Sequence, residues 1–237
     1  LKQDRYAAKY ASAAPYSYCL NNPVGFSDPT GDTIVVFYDG HFSHIDYSGN
    51  GMHILDIVQG PDGKTDYNQY LSFNDPNHDF NAVLEGGQIH ELTYVSDANV
   101  SDMMQRSGVT STMARLFPYA YAWNQSVAGK MDYGASYALS PYTFYVRDGI
   151  AYNLGDYGNY LWGAGMATLG IPYLNASLGA HLNNMFSGRA QQGYDGSKAF
   201  YDFGPGTYDH EEMTWFDSPG DQRAIYNGYM TGIKLKY

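Results

Sequence analysis

Cysteine is almost missing from this chain. Cys19 is the only one in 237 residues, so no intrachain disulfide can form and stability has to come from packing. Cys-x-x-Cys pairs, His-Glu-x-x-His, a phosphate-binding glycine loop and Gly-x-Ser-x-Gly are all absent. Structural zinc, zincin-type metal chemistry, P-loop nucleotide binding and an α/β-hydrolase elbow therefore have no support. Positive charge is scarce: 13 Lys and Arg stand against 24 Asp and Glu, for a net charge of -11. A groove tracking a phosphate backbone would be built against that field, so no stable nucleic-acid complex is expected. Long apolar runs are lacking too. The uncharged run from Tyr157 to Ala180 is long enough to cross a bilayer at about 1.5 Å per residue. It is broken by Gly158, Gly163, Gly165, Gly170 and Pro172, however, and is poor in Leu, Ile and Val, which argues against a membrane span. The opening LKQDRYAAKY is polar where a signal peptide needs an apolar core, and it begins with Leu, as expected of a piece cut from a longer chain.

Aromatic residues and glycine are plentiful: 25 Tyr and 27 Gly. That excludes a disordered chain and favours turn-rich sheet and loop structure. Residues 1–32 read as a connector punctuated by Pro, Asn and Gly. From residue 33 the pattern becomes period-2, with TIVVFYDGHFSHIDY forming two strands joined at Asp39-Gly40. Further strands are expected at MHILDIVQ, QYLSF and QIHELTYV, which makes 33–95 β-rich. The section 96–237 reads as mixed to helical. Ser96 or Asp97 caps a helix ended by Gly108, Pro118 interrupts the next helical stretch, and Asp148-Gly149 turns a second hairpin. Residues 153–186 give two helices broken at Gly170-Ile171-Pro172. The last helix starts with Ser218 as N-cap, Pro219 at its first position and Asp221 as the acid of a capping box. The fold class that follows is α+β, a hairpin-rich N-terminal section and then a mainly helical C-terminal section. Residues 1–32 would be the connector and 33–237 the module.

The string DRYAAKYASAAPYSYCLNNPVGFSDPTGD, residues 4–32, resembles the end of the RHS/YD-repeat-associated core. The matching positions are Pro15, Tyr16, Tyr18, Cys19, Asn21, Asn22, Pro23, Val24, Asp28, Pro29 and Gly31. The resemblance implies that 33–237 is a variable toxin module of a secreted polymorphic effector, delivered into a neighbouring bacterial cell. It would be carried by the rest of the RHS polypeptide and its secretion machinery, and countered by a cognate immunity protein. Many members of that family self-cleave just after this motif, which continues with Leu; here Asp32 stands in that place, so the resemblance does not imply self-cleavage at this point. A second segment pair is similar to the polymorphic toxin class numbered type 44. It comprises Asp156, Asn159, Trp162, Gly163 and Gly170, then Asp217, Asp221, Ile225 and Gly228.

Among residues able to carry chemistry, Asp156 and Asn159 are three apart and share a face of a helix. They read either as a carboxylate-amide pair at a pocket mouth or as a helix cap, with Gly163 letting another backbone approach. Asp217 precedes the cap of the last helix and has no helix N–H to satisfy, so it is the preferred active carboxylate; Asp221 reads as capping. His181 titrates near 6.5 when unperturbed and suits proton transfer. Trp162 and Asn159 are the substrate-binding candidates. His210-Glu211-Glu212 reads as an acid-base cluster or a solvated charge run. His41 and His44, three apart in a strand, are expected on opposite faces and unable to share a metal. The leading expectation is a carboxylate-dependent hydrolase of cell-envelope polymer, peptidoglycan, with no obligatory cofactor. The alternatives are a nuclease toxin using a divalent metal and a non-enzymatic membrane-perturbing or partner-binding module.

Overall fold

The computed structural model describes residues 33–46, 53–61, 63, 66–76, 79–80, 83, 89–187 and 218–235. The connector 1–32, Asp217 and the His210-Glu211-Glu212 cluster lie outside the described residues.

Strand β1 (Ile34–Tyr38) runs into β2 (His41–Asp46) through Asp39 and Gly40, whose φ angles are +47° and +76°. Positive φ at both central residues is the primed turn whose twist matches the strands, and Asp-Gly adopts it at low cost. The turn is tied to β3 (His53–Gln59): Gly40 N–H donates to Oδ1 of the fully buried Asp56 at 3.0 Å, and Gln59 N–H to Asp39 Oδ1 at 2.8 Å. Strand β4 (Asp66–Phe73) pairs antiparallel with β3. Strands β5 (Glu91–Tyr94), β6 (Thr143–Arg147) and β7 (Ile150–Tyr152) follow, the last two joined at Asp148-Gly149, where φ is +50° and +77°.

The seven strands close into a barrel in the order β1-β2-β5-β6-β7-β4-β3. This corrects the fold class expected from the sequence, α+β with a hairpin-rich N-terminal section followed by a mainly helical C-terminal section: the strands form a closed barrel. Hairpin signals are local, whereas closure uses two parallel pairings, β1 with β3 and β4 with β7. Which distant strands pair is not written in a period-2 pattern. The argument that put His41 and His44 on opposite faces needs correction as well. The register slips between Val36, paired with His44, and Phe37, paired with Phe42, so Ser43 is an extra residue that breaks strict alternation; both histidines are exposed.

The chain divides into two compact units. The first takes the described residues up to Thr93 with Asp148–Ala151, and the second takes Tyr94–Arg147 and the residues from Tyr152 onward. Val35, Val36, Phe37, Ile54, Leu71 and Phe73 are buried in the first.

In the second unit, α1 (Asp97–Arg106) starts on a capping box between Ser96 and Asn99, and Gly108 at φ +76° ends its run. Pro118 divides the next stretch into α2 (Thr112–Leu116) and α3 (Pro118–Gln125), where it takes the first helical position. Helix α4 (Tyr133–Ser136) is short. Helix α5 (Leu154–Thr168) is capped by Asn153, and Gly170 at φ +79° turns the chain into α6 (Tyr173–Ser187). Helix α7 (Pro219–Lys234) begins on the Ser218–Asp221 capping box read from the sequence.

Helix α5 is buried around most of its circumference, from Asp156 and Tyr157 through Tyr160 and Leu161 to Gly163–Ala167, as a core helix should be. Tyrosines cover it: Tyr145 stacks on Tyr157 at 4.3 Å, and Tyr152 lies 5.2 Å from Tyr160. The hydroxyls of the second pair are satisfied. Tyr160 donates to Thr231 Oγ1 at 2.8 Å, and Asn227 Nδ2 donates to the Tyr152 hydroxyl at 3.0 Å. Among the described residues no helix is long and apolar enough to cross a membrane.

Candidate functional site

Helices α5 and α7 meet backbone to backbone. A Cβ added at Gly228 would stand 1.8 Å from the Tyr160 carbonyl oxygen, one at Gly163 2.1 Å from that of Ile225, and one at Gly232 2.6 Å from that of Ala164. Only glycine permits such an approach. Asn159 faces Asp221 and Gly163 faces Ile225, while Tyr160 faces Gly228 and Ala164 faces Gly232. Both series advance together along the chain, so the helices run parallel. The approach anticipated at Gly163 is therefore real, and the partner is α7. Five of the type 44-like positions, Asn159 and Gly163 from one segment and Asp221, Ile225 and Gly228 from the other, pack against this one helix pair.

The first turn of α7 gathers the polar groups. Asp221 Oδ2 accepts from the Ser218 hydroxyl at 2.8 Å, while Asp221 N–H donates to Ser218 Oγ at 3.1 Å. Its other oxygen, Oδ1, accepts from Asn159 Nδ2 at 2.5 Å. The positive end of the helix dipole favours a carboxylate there. One residue on, buried Gln222 accepts at Oε1 from the Ser177 hydroxyl of α6 at 2.6 Å. His181 follows Ser177 by one helical turn. It is 4% exposed, and burial pulls its pKa from 6.5 down to about 4. Near pH 7 it is a neutral imidazole, able to share a hydrogen bond but not to serve as a general acid.

Arg223 completes this turn. Its Nε and Nη2 are buried and, among the described residues, meet no acceptor. A guanidinium donor withdrawn from water without a partner costs on the order of 1–3 kcal/mol. Sequence reading missed Arg223 because a lone arginine on a helix with the surface pattern of α7 reads as a solvated cation.

The other candidates take up packing and capping positions. Asp156 is buried in the first turn of α5, where its N–H donates to Asn153 Oδ1 at 2.9 Å and its Oδ2 accepts from Asn153 Nδ2 at 3.2 Å. It belongs to the cap, while Asn159, one turn on, belongs to Asp221. Trp162 donates from Nε1 to Ser126 Oγ at 2.8 Å and lies 3.8 Å from where a Cβ of Gly179 would be, so it braces the end of α3 against α6. Asp217 is outside the described residues; in sequence it directly precedes Ser218. Among the described residues no three His, Cys, Asp or Glu side chains group as a metal site would require. Compared with family models, with curated proteins and with solved structures, the chain finds no match.

Proposed function

We propose that this chain is the toxin module of an RHS-type polymorphic effector, delivered into a neighbouring bacterial cell, and that it hydrolyses peptidoglycan at the first turn of α7. The observation that supports this reading is the pair of buried guanidinium nitrogens of Arg223, which meet no acceptor among the described residues, while Asp221, two positions earlier on the same helix, already has Asn159 and Ser218 as partners. Buried orphan donors persist where a ligand provides the missing acceptor. The planar fork of Arg fits a carboxylate with two parallel hydrogen bonds, and peptidoglycan carries carboxylates on its stems.

In this reading Arg223 binds the substrate carboxylate. Asp217 supplies acid-base chemistry, and Asn159 holds Asp221 and with it the start of α7. His181, neutral at pH 7, positions rather than protonates. A cognate immunity protein would act by covering this turn. In the nuclease alternative the same carboxylates would hold a divalent metal. Incubating the purified chain with cell-wall sacculi, and separately with nucleic acid plus Mg²⁺, tests the reading: release of soluble wall fragments supports it, and shortening of nucleic acid alone replaces it.

The non-enzymatic reading is favoured by one observation. Met113, Leu116, Phe117, Tyr119 and Trp123 of the α2–α3 stretch are all more than half exposed, Trp123 at 72%. Exposed apolar groups gathered in one short stretch are the usual mark of a contact surface. If Trp123→Ser abolishes toxicity while Arg223→Met and Asp217→Ala leave it intact, that reading takes precedence.

A further inference from the structure

Positive charge is unevenly spread in this acidic chain. Residues 103–131 contain Arg106, Arg115 and Lys130 and no Asp or Glu. Two of these cations line one open cleft of about 620 Å³, together with Gln125, Gly129, Ser136 and Tyr137. That size falls in the range of small-molecule sites.

The cleft is braced from inside. The Arg106 guanidinium lies over the Tyr137 ring, 4.9 Å from its centroid, and Tyr137 stacks at 5.6 Å on the fully buried Tyr133. The Tyr137 hydroxyl donates to the Lys130 carbonyl at 2.9 Å, Lys130 N–H donates to Gln125 Oε1 at 3.0 Å, and the Ser136 hydroxyl donates to the Gly129 carbonyl at 2.7 Å. The carboxylates nearest in sequence do not line it. Asp102 stands 3.6 Å from Arg106 in an exposed pair, and Asp132 accepts the N–H of Ala128 at 3.0 Å. An exposed ion pair of that kind is weak and easily displaced by a better anion.

We propose that this cleft binds the multiply charged oxyanion group, phosphate or polycarboxylate, of a small molecule. Arg106 offers a planar fork and Lys130 a point charge, the combination that recognises such groups. None of its lining residues belongs to the turn of α7 assigned to hydrolysis.

The test is calorimetric titration of the purified chain at fixed ionic strength with inorganic pyrophosphate and, in a second arm, with tricarballylate. Saturable one-to-one binding is expected. It should weaken about tenfold in Arg106→Gln and in Lys130→Gln and recover in Lys130→Arg, with Arg115→Gln, a cation outside the cleft, unchanged. Pyrophosphate binding with that pattern identifies a phosphate ligand; tricarballylate binding with the same pattern and no pyrophosphate binding identifies a carboxylate one. Saturation by neither probe, or equal weakening in all three glutamine variants, would overturn the proposal. Lys130 is exposed, so a folded Lys130→Gln keeps the test decisive if Arg106→Gln does not fold.

Discussion

Asn159 and Asp221, 62 residues apart, share a 2.5 Å hydrogen bond from Nδ2 to Oδ1, and the same carboxylate closes the capping box of α7 through Ser218. One group thus ties the start of one helix to the flank of another. Asp221→Ala should lose the cap, about 1 kcal/mol, and the interhelical bond, about 1 kcal/mol more. Asn159→Ala should lose only the second. Urea unfolding of both single variants and the double should show coupling of about 0.5 kcal/mol or more; strict additivity would mean that the bond does not contribute.

Gly228→Ala places a methyl 1.8 Å from the Tyr160 carbonyl oxygen, which neither helix backbone can avoid without separating. A loss of about 3 kcal/mol or more is expected. Gly134→Ala is the matched control. Nothing lies within 4 Å of its added Cβ and its φ is negative, so in helix α4 it should be neutral or stabilising by about 0.5 kcal/mol. Thermal unfolding of the two variants side by side checks the parallel α5–α7 contact.

Much of this architecture was legible wherever it is set by short-range chemistry. The Asp39-Gly40 and Asp148-Gly149 turns, the Pro118 break, the stop at Gly170 and the Ser218–Asp221 box all follow from what those residues permit within a few positions. Closure of the barrel was not legible, because the β1–β3 and β4–β7 pairings depend on which distant strands find each other. The site divided the same way. Gly163 advertised a close approach, but nothing near Asn159 names Asp221 as its partner. Arg223 looked solvated because burial belongs to the tertiary structure. Asp156 reads from its spacing either as a catalytic carboxylate or as a cap, and Trp162 stands out only through the resemblance; in the structure Asp156 takes a capping position and Trp162 a bracing one.

Burial of His181 makes stability depend on pH. Its folded pKa, about 4, lies below the unfolded value of 6.5, so the unfolded chain binds the proton more readily. Stability is full above pH 6.5 and falls as the pH drops toward 4, by on the order of 3 kcal/mol if this group acts alone. Denaturant unfolding from pH 7 to 4 should show that slope, and His181→Gln should flatten it. An unchanged slope in the variant would assign the acid sensitivity to other groups.

The central claim is the proposal that Arg223 Nε and Nη2, buried without an acceptor among the described residues, are kept for a substrate carboxylate. The most direct measurement is release of soluble fragments from purified sacculi by the wild-type chain and by Arg223→Met, with urea unfolding of both. Methionine keeps the buried methylenes and removes the orphan donors, so stability should be unchanged or raised by about 1 kcal/mol. Fragment release should fall roughly 10- to 100-fold with loss of the charged hydrogen bonds. Release by a folded Arg223→Met at the wild-type rate, or none by the wild type, would contradict the account.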